Sequence, residues 1–326
     1  MMMKLSTMLK VASTVDTEWR SPLAEKILER WGYDEGSVYA FRYSANFIFI
    51  CKRNKQTYFL RFNEESEKNV EALEEEMKLL NTLAGLSLPI AKPVASLTGK
   101  EVEAVETEYG TYYASVFEAL PGKQYEIAEL ELHQFVKWGS ALGKLHESMK
   151  KLDGISLVNR KTWRDHLHEV EQILSNQEIA AKKELQILIS WAENLPVTKD
   201  NFGIVHYDFE LDNLRWEGDQ IGMLDFDDCS CYWYVADIAF ALRDLDEKNM
   251  TNANFVNFIK GYKTKTSLDD QLLEQLPMFQ RVHNITMFAK LLRSVDIQDA
   301  SEHPEWMTDL RGKLVKKIDD LRKSFE

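Results

Sequence analysis

The segment from residue 206 to residue 228 constrains the fold of this chain more than any other part of its sequence. It reads H-x-D-x-x-x-x-N from His206 to Asn213, and a short apolar run then ends in D-F-D-D at 225–228. An Asp and an Asn five positions apart, followed by a second Asp, are the oxygen-bearing side chains that phosphoryl transfer from Mg-ATP requires. The pattern therefore predicts separate turns that converge on one cleft between a sheet and a group of helices.

Composition limits the size, the partners and the location of the protein. The 326 residues are enough for two lobes around a cleft, and the net charge of −13 argues against a nucleic-acid partner and against an anionic membrane surface. The chain has no signal-peptide pattern and no apolar run of about 18 residues. Its three cysteines do not make a disulfide framework. We expect a cytoplasmic protein whose oligomeric state the sequence leaves open.

The first third of the chain is predicted to form a small antiparallel sheet with one helix inserted after its third strand. Apolar periodicity predicts strands at 38–43, 47–51, 58–62, 94–97 and 111–117. It predicts helices at 17–31 and 66–83. Residues 53–56 read as the turn of a hairpin between the second and third strands.

The rest of the chain is predicted to be mainly helical. Pro121-Gly122 marks the best candidate boundary. Helices are predicted at 130–149, 163–174, 180–191 and from about 235 onward, with short β-like pieces at 203–205, 214–216 and 221–224. The predicted fold class is α+β. A β-rich nucleotide-binding lobe is expected at 1–118, and a helical lobe with the catalytic loop, the metal ligands and the acceptor pocket at 119–326.

The catalytic and metal-binding side chains are predicted to come from the 206–228 segment. Asp208 follows a short apolar strand and is the candidate catalytic carboxylate. We expect it to orient an acceptor hydroxyl, because its ordinary pKa of about 3.9 is far below that of an alcohol. Asn213 and Asp225 supply the hard oxygen ligands that Mg²⁺ prefers. Asp227 is a further candidate metal ligand, and capping of the loop backbone explains it equally well.

The N-terminal lobe must supply a cation for the nucleotide phosphates, and Arg61 on the third strand is the candidate. Glu76 lies at the edge of the apolar face of the next helix, where it either orients Arg61 or is a solvated charge. The other candidate nucleotide-binding residues lie in a turn over the phosphates and in the segment between the lobes: Ser44, Asn46, Phe117, Glu118 and Leu120.

Other polar and aromatic residues near the motif have supporting roles in this interpretation. His206 is predicted to fix the loop by bonding to nearby backbone, and Asp237 to anchor the loop from the start of a helix. The aromatic run at 232–234 either lines an acceptor pocket, where it could bind a quaternary amine by cation–π contact, or belongs to the core. Trp191 and Arg243 are further candidates for the pocket wall.

With these motifs the chain resembles the aminoglycoside phosphotransferase and choline kinase group, which has a protein-kinase-like fold. The resemblance runs through most of the chain and is carried by the motifs at 117–122, 142–146, 206–213 and 224–228 and by Arg61, at a position usually held by lysine. It implies Asp208 as the catalytic residue and Asn213 and Asp225 as Mg²⁺ ligands. It also implies Arg61 with Glu76 as the phosphate-binding pair.

The sequence departs from that family at two positions of the motif and at the phosphate-binding cation. Tyr207 stands where the family commonly has Gly after the motif His, and Asp212 stands where Gly is frequent before the Asn. Arg61 presents a planar fork instead of the point charge of a lysine, so ATP geometry or nucleotide preference is open to change.

The sequence therefore predicts an ATP- and Mg²⁺-dependent phosphotransferase that moves the γ-phosphate to a hydroxyl of a small molecule. The acceptor is aminoglycoside-like, choline-like, homoserine-like or sugar-like. No activation segment of the protein-kinase type is recognisable between Asp225 and Asp237, which favours a small acceptor. The alternatives are a protein Ser/Thr kinase and a non-catalytic nucleotide-binding scaffold of the same fold. The presence of Asp208, Asn213 and Asp225 argues against a scaffold.

Overall fold

An antiparallel sheet dominates the N-terminal part of the chain. The computed structural model describes residues 2–152, 160–298 and 303–326, and within these ranges the sheet has six strands. They are β1 (Tyr39–Tyr43), β2 (Phe47–Arg53), β3 (Gln56–Glu64), β4 (Pro93–Val94), β5 (Glu103–Thr107) and β6 (Gly110–Glu118). The order is β1-β2-β3-β6-β4, and β5 also pairs with β6.

Local sequence signals account for the central hairpin and for the helix that follows it. Asn54 and Lys55 adopt positive φ angles of 52° and 67° between β2 and β3, as a tight hairpin turn requires. The predicted helix after the third strand is α3 (Val70–Gly85), and the side chain of Asn69 caps its first turn. The expected arrangement of one helix inserted after the third strand is therefore confirmed.

Two further helices precede the sheet, and only one of them was predicted from the sequence. The helix α1 (Leu5–Ala12) was not predicted, and the helix predicted at 17–31 is limited to α2 (Pro22–Leu28). The earlier start was wrong because Trp19 has a positive φ of 66° and Ser21 caps the helix through the amide of Ala24. The apolar residues around Trp19 have the spacing of a helix, but the backbone there is not helical.

The C-terminal part is mainly helical, as predicted. Its helices are α4 (Leu132–Met149), α5 (Trp163–Ile173), α6 (Ile179–Glu193), α7 (Tyr234–Ala241), α8 (Ala253–Lys263), α9 (Asp270–Leu273), α10 (Leu276–Ser294) and α11 (Glu305–Ser324). Short strands interrupt them: β7 (Phe202–Val205), β8 (Leu214–Glu217), β9 (Gln220–Met223) and β10 (Ser230–Trp233). The α+β architecture of a small β-rich lobe and a larger helical lobe is thus confirmed, whereas the boundary after residue 118 stays a prediction. None of the helices in the described ranges combines the length and the apolar character needed to cross a bilayer.

Contacts at several places hold the lobes against each other, two of which lie beside α10 and beside the motif. Between α1 and α10, the Glu67 carboxylate accepts hydrogen bonds from the backbone of Lys4 and the hydroxyl of Thr7, and it pairs with Arg293 at 2.5 Å. Near the motif, the backbone of Met223 at the end of β9 exchanges hydrogen bonds with residues 89–91, which lead into β4. The second contact fixes the strand that precedes Asp225 against the small lobe.

Candidate active site

A cavity of about 540 Å³ lies between the sheet and the helical lobe. This volume is in the range of sites for small ligands and cofactors. Every predicted site residue except Asp227 lines it: Ser44, Asn46, Arg61, Glu76, Phe117, Glu118, Leu120, Asp208, Asn213 and Asp225. Residues that are far apart in the sequence are thus brought to one cavity.

Asp208 is held on both sides by neighbouring side chains. Its Oδ1 is 2.7 Å from a guanidinium nitrogen of Arg243, and its Oδ2 accepts a hydrogen bond of 3.0 Å from the amide nitrogen of Asn213. Burial by itself would raise the pKa of Asp208, but the charge of Arg243 and its hydrogen bond to the carboxylate together keep the pKa below its ordinary value. A carboxylate that stays ionised and fixed in orientation can accept a hydrogen bond from a substrate hydroxyl.

The loop that carries Asp208 is anchored by a buried carboxylate. Asp237, near the N-terminus of α7, accepts hydrogen bonds of 2.8 Å from the backbone amides of His206 and Tyr207. His146 of α4 lies 2.9 Å from the same carboxylate. His206 bonds through its Nε2 to the carbonyl of Leu224, at 3.0 Å. The predicted loop-fixing positions of His206 and Asp237 are therefore confirmed.

Tyr207 occupies a backbone conformation that favours glycine. Its φ is +73°, in the left-handed region, which explains why a glycine suits the position after the motif His. The two hydrogen bonds to Asp237 hold this conformation, and the ring packs against Tyr232 and Phe240. The tyrosine therefore keeps the loop geometry while its side chain also lines the cavity.

Asp225 presents a carboxylate that is 33% exposed at the cavity wall and has a single, long ion pair among the described residues. Its ion-pair partner in the described part of the chain is Arg61, at 3.5 Å. Burial, and then the charge of Asp227, raises the pKa of Asp225 well above its ordinary value. Its backbone φ of +59° turns the chain sharply after β9, so that the side chain lines the cavity. Within the described part of the chain, no three His, Cys, Asp or Glu side chains gather as a metal site, so a cation here would depend on fewer protein ligands.

Asp227 lies outside the wall of the cavity and has partners of its own. Its Oδ2 is 2.6 Å from the ammonium of Lys68, and it accepts a hydrogen bond of 3.0 Å from the amide of Asn46. Lys68 and Asn46 both belong to the small lobe. These contacts make Asp227 a tie between the lobes, a role that was not predicted, and its assignment as a metal ligand stays a prediction.

Arg61 and Glu76 form a two-point ion pair inside the small lobe. The nitrogen–oxygen distances are 2.9 and 2.5 Å, and the two side chains are 6% and 3% exposed. The predicted pairing is present, and the solvated alternative for Glu76 is wrong. The guanidinium also lies over the ring of Phe117, 4.8 Å from its centroid. The pair thus holds a fixed positive group at the wall of the cavity.

The aromatic run at 232–234 belongs to the core. Tyr232, Trp233 and Tyr234 are each at most 3% exposed and do not line the cavity. Trp191 does not line it either, whereas Arg243 does. The interpretation of these aromatic residues as a receptor for a quaternary amine is therefore wrong, because β10 and the start of α7 point their rings into the helical lobe.

Several residues that line the cavity were not predicted from the sequence to belong to the site. Glu210 pairs with Arg243, and Asp228 lies 3.3 Å from Lys290 of α10. His283, Thr286 and Lys290 all lie on one side of α10 and line the cavity. The only sequence signal for them was polar residues at helical spacing in an otherwise apolar helix, a pattern that surface helices share.

Comparison with known proteins places the fold and the sequence among phosphotransferases. The sequence model of the "phosphotransferase enzyme family" matches residues 42–270. Amicoumacin kinase of Bacillus subtilis (strain 168) is 26% identical over 290 residues, which cover 85% of this chain and 86% of that protein. Homoserine kinase of Zymomonas mobilis subsp. mobilis (strain ATCC 31821 / ZM4 / CP4) is 26% identical over 193 residues, 56% of each chain.

Solved structures share the whole architecture. Amicoumacin kinase hAmiN, in complex with AMP-PNP, Ca²⁺ and Ami, superposes with a TM-score of 0.77 at 22% identity over 95% of each chain. A microcompartment-associated aminopropanol kinase gives 0.70 at 18% identity, covering 93% of this chain and 96% of the other. At these identities the likeness shows a common fold, the protein-kinase-like fold that the sequence predicted.

Proposed function

The chain belongs to the phosphotransferase enzyme family and is a small-molecule kinase, and we propose that it transfers the γ-phosphate of ATP, with Mg²⁺, to a hydroxyl of a small molecule. The observation that carries the proposal is the meeting of Asp208, Asn213, Asp225 and Arg61 in the wall of one cavity. These residues supply an acceptor for a hydroxyl proton, oxygen ligands for a metal and a cation for phosphates.

Asp208 is the catalytic residue in this proposal. Arg243 and Asn213 fix its two oxygens, so the carboxylate has a set direction when an acceptor hydroxyl donates a hydrogen bond to it. That contact places the hydroxyl oxygen in line with the phosphate to be transferred. The lowered pKa of Asp208 makes it a weak base, so its main contribution is positioning, and it takes the proton late in the transfer.

Asn213 and Asp225 would hold the divalent cation. The amide nitrogen of Asn213 is committed to Asp208, which leaves its carbonyl oxygen for a metal. Asp225 offers a carboxylate at the cavity wall, with Arg61 at 3.5 Å. Such a set of hard oxygens fits Mg²⁺, which usually takes one or two protein ligands and completes its shell with phosphate oxygens and water. When bound, the ion would neutralise charge on the phosphate oxygens.

The small lobe would bind the nucleotide. Arg61, oriented by Glu76, faces the cavity as a phosphate-binding cation, and the turn at 44–46 lies over the same region. Phe117, Glu118 and Leu120, at the end of β6 and just beyond it, line the cavity where the adenine would pack. All the predicted nucleotide-binding residues would therefore contact the nucleotide in this cavity.

The experiment is an ATP-consumption assay with Mg²⁺ on a panel of hydroxylated compounds: aminoglycosides, choline, ethanolamine, homoserine and sugars. We expect turnover with at least one compound, and we expect Asp208→Asn to lower kcat by about 10²–10⁴-fold. Asp219→Asn is the matched control, because Asp219 is 92% exposed and lies outside the cavity. A panel without any turnover, or an Asp208→Asn variant as fast as the wild type, would show that the proposal is wrong.

A further inference from the structure

One end of the cavity, beyond Asp208, is walled by the C-terminal helices α10 and α11. Its polar side chains include His283, Thr286 and Lys290 from α10, Lys317 from α11, and Arg243. The apolar part of the same wall consists of Met2, Met287, Leu291 and Leu314. The end of the cavity that would receive the acceptor is therefore both apolar and basic.

The carboxylates at this end already have cations. Asp208 and Glu210 share the guanidinium of Arg243, and Asp228 pairs with Lys290. Lys317 has no ion-pair partner among the residues that the structure describes. Lys317 therefore adds an exposed cation to this end of the cavity, where Arg243 and Lys290 are already engaged by three carboxylates.

His283 is a buried histidine close to several charged side chains at this end of the cavity. Its side chain is 8% exposed, lines the cavity, and has an Nδ1 with no hydrogen-bond partner in the described part of the chain. Burial and then Arg243, Lys290 and Lys317 lower its pKa to about 3, while Asp208 acts in the opposite direction. A neutral imidazole thus lies near three cations, of which Arg243 and Lys290 are paired with carboxylates, so that Lys317 is the cation left to stabilise an anion.

We propose that the acceptor is a hydroxylated organic anion with an apolar body. Its hydroxyl would bind Asp208, its apolar body would pack on Met287, Leu291 and Leu314, and its carboxylate or similar group would pair with Lys317. This inference rests on the proposed function and narrows its acceptor class. It disfavours polycationic acceptors, because an ammonium group in the place of that carboxylate would meet the positive charge of Lys317.

The test compares acids with their carboxamides. The full-length protein with Mg²⁺ and AMP-PNP is titrated calorimetrically with N-benzoylserine and N-benzoylhomoserine, each as the free acid and as the carboxamide. We expect the acids to bind about tenfold more tightly than the amides, as one partly screened charge pair allows. Because Lys317 is exposed, the preference should shrink at about 0.5 M salt.

Lys317→Gln should abolish the preference for the acid, whereas Lys316→Gln should keep it. Lys316 is an exposed lysine of the same helix that does not line the cavity. The proposal is overturned if no acid binds, if acid and amide bind alike, if Lys317→Gln keeps the preference, or if kanamycin binds more tightly than the acids.

These outcomes are separable from failure of the proposed function. If Asp208-dependent turnover of some neutral or cationic acceptor persists while the acids show no preference, only the acceptor class is wrong. If ATP is not consumed with any acceptor while the acids still bind through Lys317, the proposed reaction is wrong and the anion site stands.

Discussion

Arg243 binds the carboxylate of Asp208 with a distance of 2.7 Å between Nη1 and Oδ1, and its other terminal nitrogen pairs with Glu210. Arg243 follows α7, whose Asp237 anchors the backbone of the catalytic loop. The helix α7 therefore fixes the backbone of the loop, and the residue just after its C-cap fixes the orientation of the carboxylate. This makes Arg243 a positioning residue for the proposed reaction.

We expect Arg243→Gln to lower kcat by about tenfold to a hundredfold, because a misplaced catalytic group costs a factor of this order. The KM for ATP should stay nearly constant, since Asp208 and Glu210 lie on the acceptor side of the cavity. Steady-state kinetics with ATP and acceptor varied separately would check this. An unchanged kcat combined with a raised KM for ATP would contradict the positioning role.

The buried pair of Arg61 and Glu76 should matter for stability as well as for nucleotide binding. Glu76→Gln removes the closest counter-charge of the guanidinium, and we expect it to lower the free energy of unfolding by about 3–5 kcal/mol and to raise the KM for ATP. Urea unfolding and initial-rate kinetics would measure the two effects. Glu29→Gln is the control, because its pair with Lys26 is more than half exposed, and its effect should be below about 1 kcal/mol.

The contact between α4 and α8 depends on glycine. A Cβ on Gly261 would lie 1.9 Å from the carbonyl oxygen of Val136 in α4. We expect Gly261→Ala to lower the free energy of unfolding by about 3 kcal/mol, because the backbone of one helix must move. Since α4 carries His146, which contacts Asp237, kcat should fall as well.

Gly312→Ala is expected to change the free energy of unfolding in the opposite direction to Gly261→Ala. Gly312 lies inside α11, and a Cβ there meets no atom within 4 Å. The alanine should raise the free energy of unfolding by about 0.5–1 kcal/mol, because it restricts the unfolded chain and favours the helix. Equal effects of the two substitutions in thermal or urea unfolding would refute the packing explanation.

His166 should make the protein less stable in acid. Burial lowers its pKa to about 3, and its Nδ1 lies 2.8 Å from the hydroxyl of Tyr232. Between an unfolded-state pKa of about 6.5 and this folded-state value, the unfolded chain binds more protons. The free energy of unfolding should therefore fall as the pH decreases, by about 2 kcal/mol between pH 6.5 and pH 5 from this group.

His166→Gln should remove that part of the pH dependence. Urea unfolding at pH 7.5 and at pH 5 would measure it, with His168→Gln as the control because His168 is exposed on the same helix. An identical loss of stability at pH 5 in the wild type and in His166→Gln would show that this histidine does not titrate as expected.

Much of the fold could be predicted because its signals are local. Strand alternation and the turn at Asn54 and Lys55 identified the central hairpin, and apolar spacing identified α3 to α6 within a few residues. β5 and β10 were missed. β5 pairs only with the long strand β6, and β10 forms a buried pair with β7, so neither shows a clear pattern of its own.

The sequence by itself determined the chemistry: the spacing of Asp208, Asn213 and Asp225 and the charge of Arg61 are covalent facts, and they already indicated transfer of a phosphate. The tertiary structure alone decided which charges neighbour one another. It paired Asp227 with Lys68 and Asn46, placed Arg243 on Asp208, and brought α10 and α11 to the end of the cavity. These contacts join residues far apart in the chain, and the energy of a charge depends on its distance to others, which no local pattern records.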